Sequence, residues 1–223
     1  SPHYLNLRKA TKFGNSSSID GMMNDGLTDV YSKNSMGVLA DNCASDYSIS
    51  RESQDEYAIN SYVKSIKSTE NNYFSDEIIP VFYKDKRGNE IVIEKDEQIS
   101  KVKFEKIPKL SPAFVKNGSV TAANSSPISD GASILVLMSS KKAKEMDLIP
   151  LAKIIDFHDV AIEPNKFTIA PSKAIKELAL KTDSSLEDID LFEINEAFSM
   201  VPIVNTNILG LDDKKVNING GAV

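Results

Sequence analysis

The chain has 223 residues, 41% of them hydrophobic and 26% charged, which suits a globular protein with a real core. The net charge of −6 argues against general nucleic-acid binding. No run approaches the roughly 18 consecutive apolar residues of a membrane span, and a single cysteine, Cys43, excludes an internal disulfide framework.

Residues 1–34 are rich in Ser, Gly and Asn and read as loop with one short helix over IDGMMNDGL. From Met36 the apolar residues Met36, Leu39, Ala40 and Cys43 recur at i, i+3, i+4 and i+7, one face of a helix. Ser50 caps a second helix, whose first turns carry Glu52, Asp55 and Glu56 near the positive dipole end. Its expected buried stripe is Ile59, Tyr62, Val63 and Ile66. EIIPVFY and EIVIEK flank KDKRGN and read as a hairpin. SKVKFEKIPKLSPAFVK then forms a cationic arm, with lysines at 101, 103, 106, 109 and 116 against one Glu. Pro108 and Pro112 forbid a regular helix or a central strand there.

SVTAANSSPISDGASILVLMSS reads as a polar loop, a short helix start and a buried strand. After Pro150 the order is LAKIIDFHDVAI as strand, SKAIKELALK as helix, DIDLFEI as strand, NEAFSMVPIVNTNIL as helix and KVNINGGAV as strand. That β-α-β-α-β spacing implies a layered α/β sheet. Pro202 should bend the last helix or force a reset near residues 195–200.

Few residues can carry chemistry. No His/Cys pair has zinc-ligand spacing, and there is no GxSxG, P-loop or GxGxxG. Cys43 lies on an apolar helix face without a basic neighbour, and reads as structural. His158 reads as a local structural residue and His3 as solvated. Four stretches stand out. Asn195 of NEAF sits where an apolar strand meets a helix; its amide suits an oxyanion or a positioned water, or a helix N-cap. TAANSS with SDGAS is a small-residue loop, open to a ligand or cation or to a tight chain crossing. The lysine arm could hold phosphates or be a solvated edge. NGGAV is a glycine turn after a buried strand.

In this order, SMG…ADNCA, SRESQDEYAINSYVKS, DEIIPV, SVTAANSSPISDGASILVLMS, DIDLFEINEAF and VNINGGAV resemble the thiolases over essentially the whole chain. TAAN, the Tyr of AINSY and FHDVAIEP…FTIAP look most like the potassium-activated, mitochondrial-type acetoacetyl-CoA branch. The resemblance implies a layered αβαβα fold, here incomplete, with an α+β loop domain covering the coenzyme A (CoA) site. It divides the chain into a loop domain over 1–117, the end of an N-terminal half over 118–148 and the start of a C-terminal half over 149–223.

The implied reaction condenses two acetyl-CoA to acetoacetyl-CoA plus CoA, or runs the reverse thiolysis. Residue by residue, the resemblance gives Asn195 a water-positioning role in an oxyanion hole. Ala197 and Phe198 would line the acyl and pantetheine tunnel, and Ser126 would contact CoA. Lys101, Val102, Lys103 and Lys106 would hold the nucleotide end. Met36 would sit near the substrate, beside Ser35, where the branch usually has His. Tyr62 and the carbonyls of Ala122, Ala123 and Ser125 would match a potassium site.

The family's nucleophilic cysteine, GHPxG histidine and second catalytic cysteine have no counterpart in these residues. The chain therefore looks like an internal fragment and is expected to be inactive alone. The resemblance implies CoA thioesters as substrates, no tightly bound cofactor, a possible potassium ion and a homo-oligomer, dimer or tetramer, for the full-length protein. It implies no nucleic-acid or membrane partner, and a mitochondrial or cytoplasmic location. The alternative is a diverged, non-catalytic CoA-binding or scaffold member, motivated by Ser35, Pro127 and Pro202.

Overall fold

A computed structural model describes residues 2–5, 13–15 and 17–223. The loop read over 1–34 falls partly outside these, at residues 1, 6–12 and 16. Two strands not expected from the sequence, β1 (His3–Leu5) and β2 (Ser18–Asp20), pair antiparallel, and a single π-turn follows at Met22–Gly26.

Helix α1 spans Met36–Asp46, and Ser35 caps it by accepting from the Val38 N–H at 3.4 Å. The expected face is the buried one: Leu39, Ala40, Cys43 and Ala44 are all at most 6% exposed. Helix α2 spans Arg51–Glu70 and begins at the predicted Ser50 cap, whose hydroxyl accepts from the Ser53 N–H at 3.1 Å. Its buried face differs from the expected stripe. Gln54, Asp55, Ala58, Ser61 and Ser68 are buried, whereas Val63 is exposed and Ile59, Tyr62 and Ile66 are only half-buried. The apolar stripe is overruled because the polar face meets side-chain and backbone partners that local periodicity does not reveal.

The expected hairpin is present as β3 (Val81–Lys84) and β4 (Glu90–Ile93), with Phe82 opposite Val92. Gly88, at φ +84°, makes its turn, and the Asp85 carboxylate accepts from the Arg87 and Asn89 N–H groups. In the lysine arm, Phe104–Lys109 form a 3-10 helix that tolerates Pro108, and Ile107 is its buried anchor.

The expected strands beyond the arm take another form. Ile134 to Leu137 and residues 151–162 have no regular secondary structure and make no ladder with any described residue, and most of their apolar side chains are exposed. The strands read at 188–194 and 215–223 form no ladder; they meet through one parallel bridge, Phe192 to Val216, and through side-chain bonds of Lys215 to Ile189 and of Asn217 to Ile194. Hydrophobic pattern suggests a strand in each, but a strand exists only where a second backbone supplies partners.

The helices of this half match expectation only in part: the one at Ser140–Glu145 was not read from the sequence, and the short helix start read before Ile134 is not formed. α3 (Ser140–Glu145) follows a Ser139 cap, and α4 (Ala170–Lys181) carries the predicted amphipathic helix. His158 Nε2 lies 2.7 Å from Glu177 of α4, and Lys181 of α4 donates to Asp156, so the segment over 151–162 is tied to that helix. α5 begins only at Met200 and runs to Leu209, where Gly210, at φ +65°, ends it. Pro202 therefore lies in the first turn, where its missing N–H removes no helical bond. The core joins α1 and α5 through residues such as Ala40, Cys43, Met200, Val204, Phe192 and Val216.

Candidate active site

Three motif segments, far apart in sequence, meet between α1, α2 and α5. The Ser126 N–H donates to the Ala197 carbonyl at 3.1 Å, and the Ser199 N–H donates to the Asn124 carbonyl at 2.9 Å. The TAANSS loop thus crosses the NEAF segment as a short antiparallel bridge, Ser125 opposite Phe198. The third segment, NINGG, is joined through Glu196, which is 1% exposed. Its Oε1 accepts from the Tyr57 hydroxyl at 2.8 Å and from Asn217 Nδ2 at 2.9 Å. Its Oε2 accepts from Ser61 Oγ at 2.8 Å and from the Val223 N–H at 3.1 Å. Each of these carboxylate contacts is with a donor, which satisfies a buried acid without a cationic partner.

Asn217 completes this junction. At φ +46°, it turns its amide back to accept from the Ile194 N–H and donate to the Ile194 carbonyl, as a neighbouring strand would. A Cβ on Gly221 would overlap the Glu196 carboxylate, and one on Gly220 would overlap Ser65 of α2. The two glycines are therefore required by close approach, and Gly220 also by its φ of +92°.

Asn195 is exposed and stands five positions before the start of α5, so it is not that helix's N-cap. Its amide makes no hydrogen bond to a described residue, while its neighbours Ile194 and Glu196 are both fixed. Phe198 is buried and meets Phe114 edge-on, with ring centroids 6.2 Å apart. Phe114 also covers Gly37, where any Cβ would overlap its ring. Met36 and Ser35, both half-buried, lead into that turn of α1. Ala197 is half-buried and Ser126 exposed. The structure thus gathers Met36, Ser126, Ala197 and Phe198 around one aromatic contact. Phe114 was missed in the sequence, where an aromatic between Pro112 and a lysine in an irregular segment gives no periodic signal.

The lysine arm is a separate patch. Lys101, Lys103 and Lys106 are exposed; Lys101 pairs with Glu97 at 2.9 Å, and Val102 is half-buried. Tyr62 packs edge-on against Phe104 at 6.4 Å, anchoring the arm to α2. The carbonyls of Ala122, Ala123 and Ser125 accept no hydrogen bond from a described residue.

Titration behaviour follows burial. Burial, then the Glu196 charge, pushes the Tyr57 phenol well above its usual range. Burial also raises Tyr62, with Asp96 adding to it. Burial raises the Glu193 carboxyl, Glu196 adds to this and Lys64 opposes it. The Cys43 thiol is raised by burial, against a smaller lowering by the Thr168 hydroxyl, so it is a poor nucleophile. A cleft of about 660 Å³ lies between α2, α5 and residues 213–218, away from the lysine arm.

Residues 1–141 match the family described as "Thiolase, N-terminal domain", and residues 148–223 match "Thiolase, C-terminal domain". The chain is 44% identical to a probable acetyl-CoA acetyltransferase of Dictyostelium discoideum, covering 100% of this chain and 54% of that protein. It is 46% identical to the mitochondrial acetyl-CoA acetyltransferase of Homo sapiens, over 100% of this chain and 52% of that one. Its fold superposes on the crystal structure of Acat5 thiolase from Ascaris suum in complex with coenzyme A, with a TM-score of 0.90 and 38% identity. That match covers 99% of this chain and 56% of the other. The chain spans about half the length of the curated relatives it matches.

Proposed function

This chain belongs to the thiolase family, and from that premise we propose that the whole protein condenses two acetyl-CoA to acetoacetyl-CoA plus CoA, or runs the reverse thiolysis. The observation that carries this reading is the meeting of TAANSS, NEAF and NINGG through the Ser126–Ala197, Asn124–Ser199 and Glu196–Val223 hydrogen bonds. Such a junction can fix a polar group beside an apolar passage, which acyl transfer between thioesters needs.

In this reading the amide of Asn195 holds a water where charge develops on the thioester oxygen. Donors placed there act on the transition state more than on the bound substrate. Ser126 contacts the pantetheine, and Met36, Ser35, Ala197 and Phe198 line the acyl end. Lys101, Lys103 and Lys106 hold the nucleotide phosphates as point charges, and Val102 packs against the nucleotide end. Tyr62 and the carbonyls of Ala122, Ala123 and Ser125 form an oxygen set suited to a potassium ion, which would stiffen the loop before Ser126.

The reactive thiolates and the GHPxG histidine are not among these residues. Acetoacetyl-CoA thiolysis by the purified 223-residue chain is therefore expected to stay at background, and turnover above background overturns that expectation. Titration calorimetry of the same chain with CoA is expected to give saturable heat. Ser35 favours one second reading, a non-catalytic CoA-binding member, because its hydroxyl serves as the α1 cap and presents no ring. CoA binding without turnover in the full-length protein supports that alternative; normal turnover removes it.

A further inference from the structure

The polar face of α2 carries a second buried network, distinct from the one around Glu196. Arg51 Nε donates to Asp55 Oδ2 at 2.7 Å. Its Nη2 donates to the carbonyls of Ile107 at 3.0 Å and Leu110 at 2.9 Å, where the 3-10 turn of the lysine arm ends. On the other side, Asp55 Oδ1 accepts from Asn124 Nδ2 at 3.0 Å. Asn124 also donates to the Ser119 carbonyl and accepts from the Thr121 N–H, which fixes the TAANSS loop. The Asn124 carbonyl receives the Ser199 N–H at the start of the α5 segment. Asp55 is 5% exposed, and Asn124 and Ser199 are fully buried.

The arm has no sheet or regular helix of its own to hold it. Its far end is held by the Phe114–Phe198 contact and the Ala113 N–H to Val120 carbonyl bond; around the 3-10 turn, besides the Ile107 side chain and the Tyr62–Phe104 contact, two carbonyls are fixed by one guanidinium, and Asp55 aims that guanidinium. A planar fork bonded to a carboxylate and two carbonyls has few alternative orientations. Among the described residues, Asp55 is therefore the group bonded both to the residue that grips the arm and to the residue that shapes the small-residue loop.

We propose that Asp55 is a positioning residue which, through Arg51 and Asn124, sets the lysine arm and the TAANSS loop in one fixed relation, so that the nucleotide and pantetheine ends of CoA meet a single prepared surface. This rests on the CoA reading above. A preorganised pair of half-sites binds a joined ligand better than two half-sites that move independently.

The test uses the 223-residue chain, with CoA and adenosine 3′,5′-bisphosphate as probes in titration calorimetry at two salt concentrations. Asp55→Asn keeps the side-chain shape and removes the charge; Arg51→Lys keeps the charge and removes the fork. Each is compared at a temperature where its circular dichroism matches the parent chain. Expected is a rise of about tenfold in the Kd of CoA for either variant, no further rise in the double variant, and a weaker salt dependence of adenosine bisphosphate binding. A purely structural role would lower Tm and leave both Kd and salt dependence of the folded chain unchanged, and that result overturns the proposal. Additive losses in the double variant overturn it too, since they mean that the two residues do not act as one unit. If Asp55→Asn does not fold, Arg51→Lys alone decides by the same readings. Absence of CoA heat in the parent chain sinks the CoA reading and this inference together, whereas CoA heat indifferent to both variants sinks only the inference.

Discussion

Helices α1 and α2 start alike, each with a serine hydroxyl accepting from the backbone N–H three residues on. From there they bury different balances of chemistry, α1 mainly apolar apart from Asp41, which accepts from the Ser119 and Val120 N–H groups. α1 inserts Leu39, Ala40, Cys43 and Ala44 into the apolar core, where close packing and area removed from water set the energy. α2 buries Gln54, Asp55, Ser61 and Ser68, whose partners lie at Ser119, on the TAANSS loop, on NEAF and on NINGG. The first face gives cohesion that tolerates similar shapes. The second gives placement, because each buried polar atom must find one partner in one direction. The residues that organise the site are on the second.

The largest effect should come from the apolar side. Leu39→Ala removes a side chain that is 2% exposed and leaves a cavity, so urea unfolding of the chain should show a loss of about 3 kcal/mol. A loss under about 1 kcal/mol would mean that the core around α1 collapses freely.

Next comes the polar side. Glu196→Gln turns one acceptor oxygen into a donor that faces donors, for a loss of about 2 kcal/mol in the same measurement. Tyr57→Phe should then cost less when combined with Glu196→Gln than it does alone; equal costs would break the idea of a coupled network.

The shared feature of the two helices should give a smaller loss. Ser50→Ala removes the α2 cap and should cost about 1 kcal/mol, with the melting midpoint as the reading and little change in fold by circular dichroism.

The smallest effect at neutral pH is titration, and here both helices act with one sign. The thiol of Cys43 on α1 and the phenol of Tyr57 on α2 have folded pKa values above their ordinary 9.0 and 10.0. The folded chain then holds protons that the unfolded chain releases. Stability is full below about pH 9 and falls as pH rises through the alkaline range. Urea midpoints recorded from about pH 7 upward should stay level and then decline. Tyr57→Phe should flatten the part of the decline above about pH 10; an unchanged slope would assign it to other groups.

What was legible in the sequence was local. The cap at Ser50 and the Gly88 turn each depend on a few adjacent residues. The apolar face of α1 and the irregular arm with its prolines also follow from short-range rules. The motif spellings singled out Asn195, Ser126 and Phe198 as expected site residues. Less legible were Asp55, read only as a charge favourable near a helix start, and Glu196, which lay inside a motif without a stated part. Their signals are long-range: Tyr57 and Ser61 reach Glu196 across 139 and 135 positions. Periodicity over one helix turn cannot see such a partner, so it assigned the buried face of α2 to Ile59, Tyr62, Val63 and Ile66.

Dihedral preference, capping and side-chain period were thus enough to say where most helices lie and which motifs are present. Which segments with a strand pattern become strands was settled only on folding, since a ladder needs a second backbone. Folding likewise settled that a helix rich in polar side chains turns them inward. That choice is favourable only when distant groups arrive with the right donors and acceptors. At Asp55 and Glu196 they arrive from the segments that shape the candidate site.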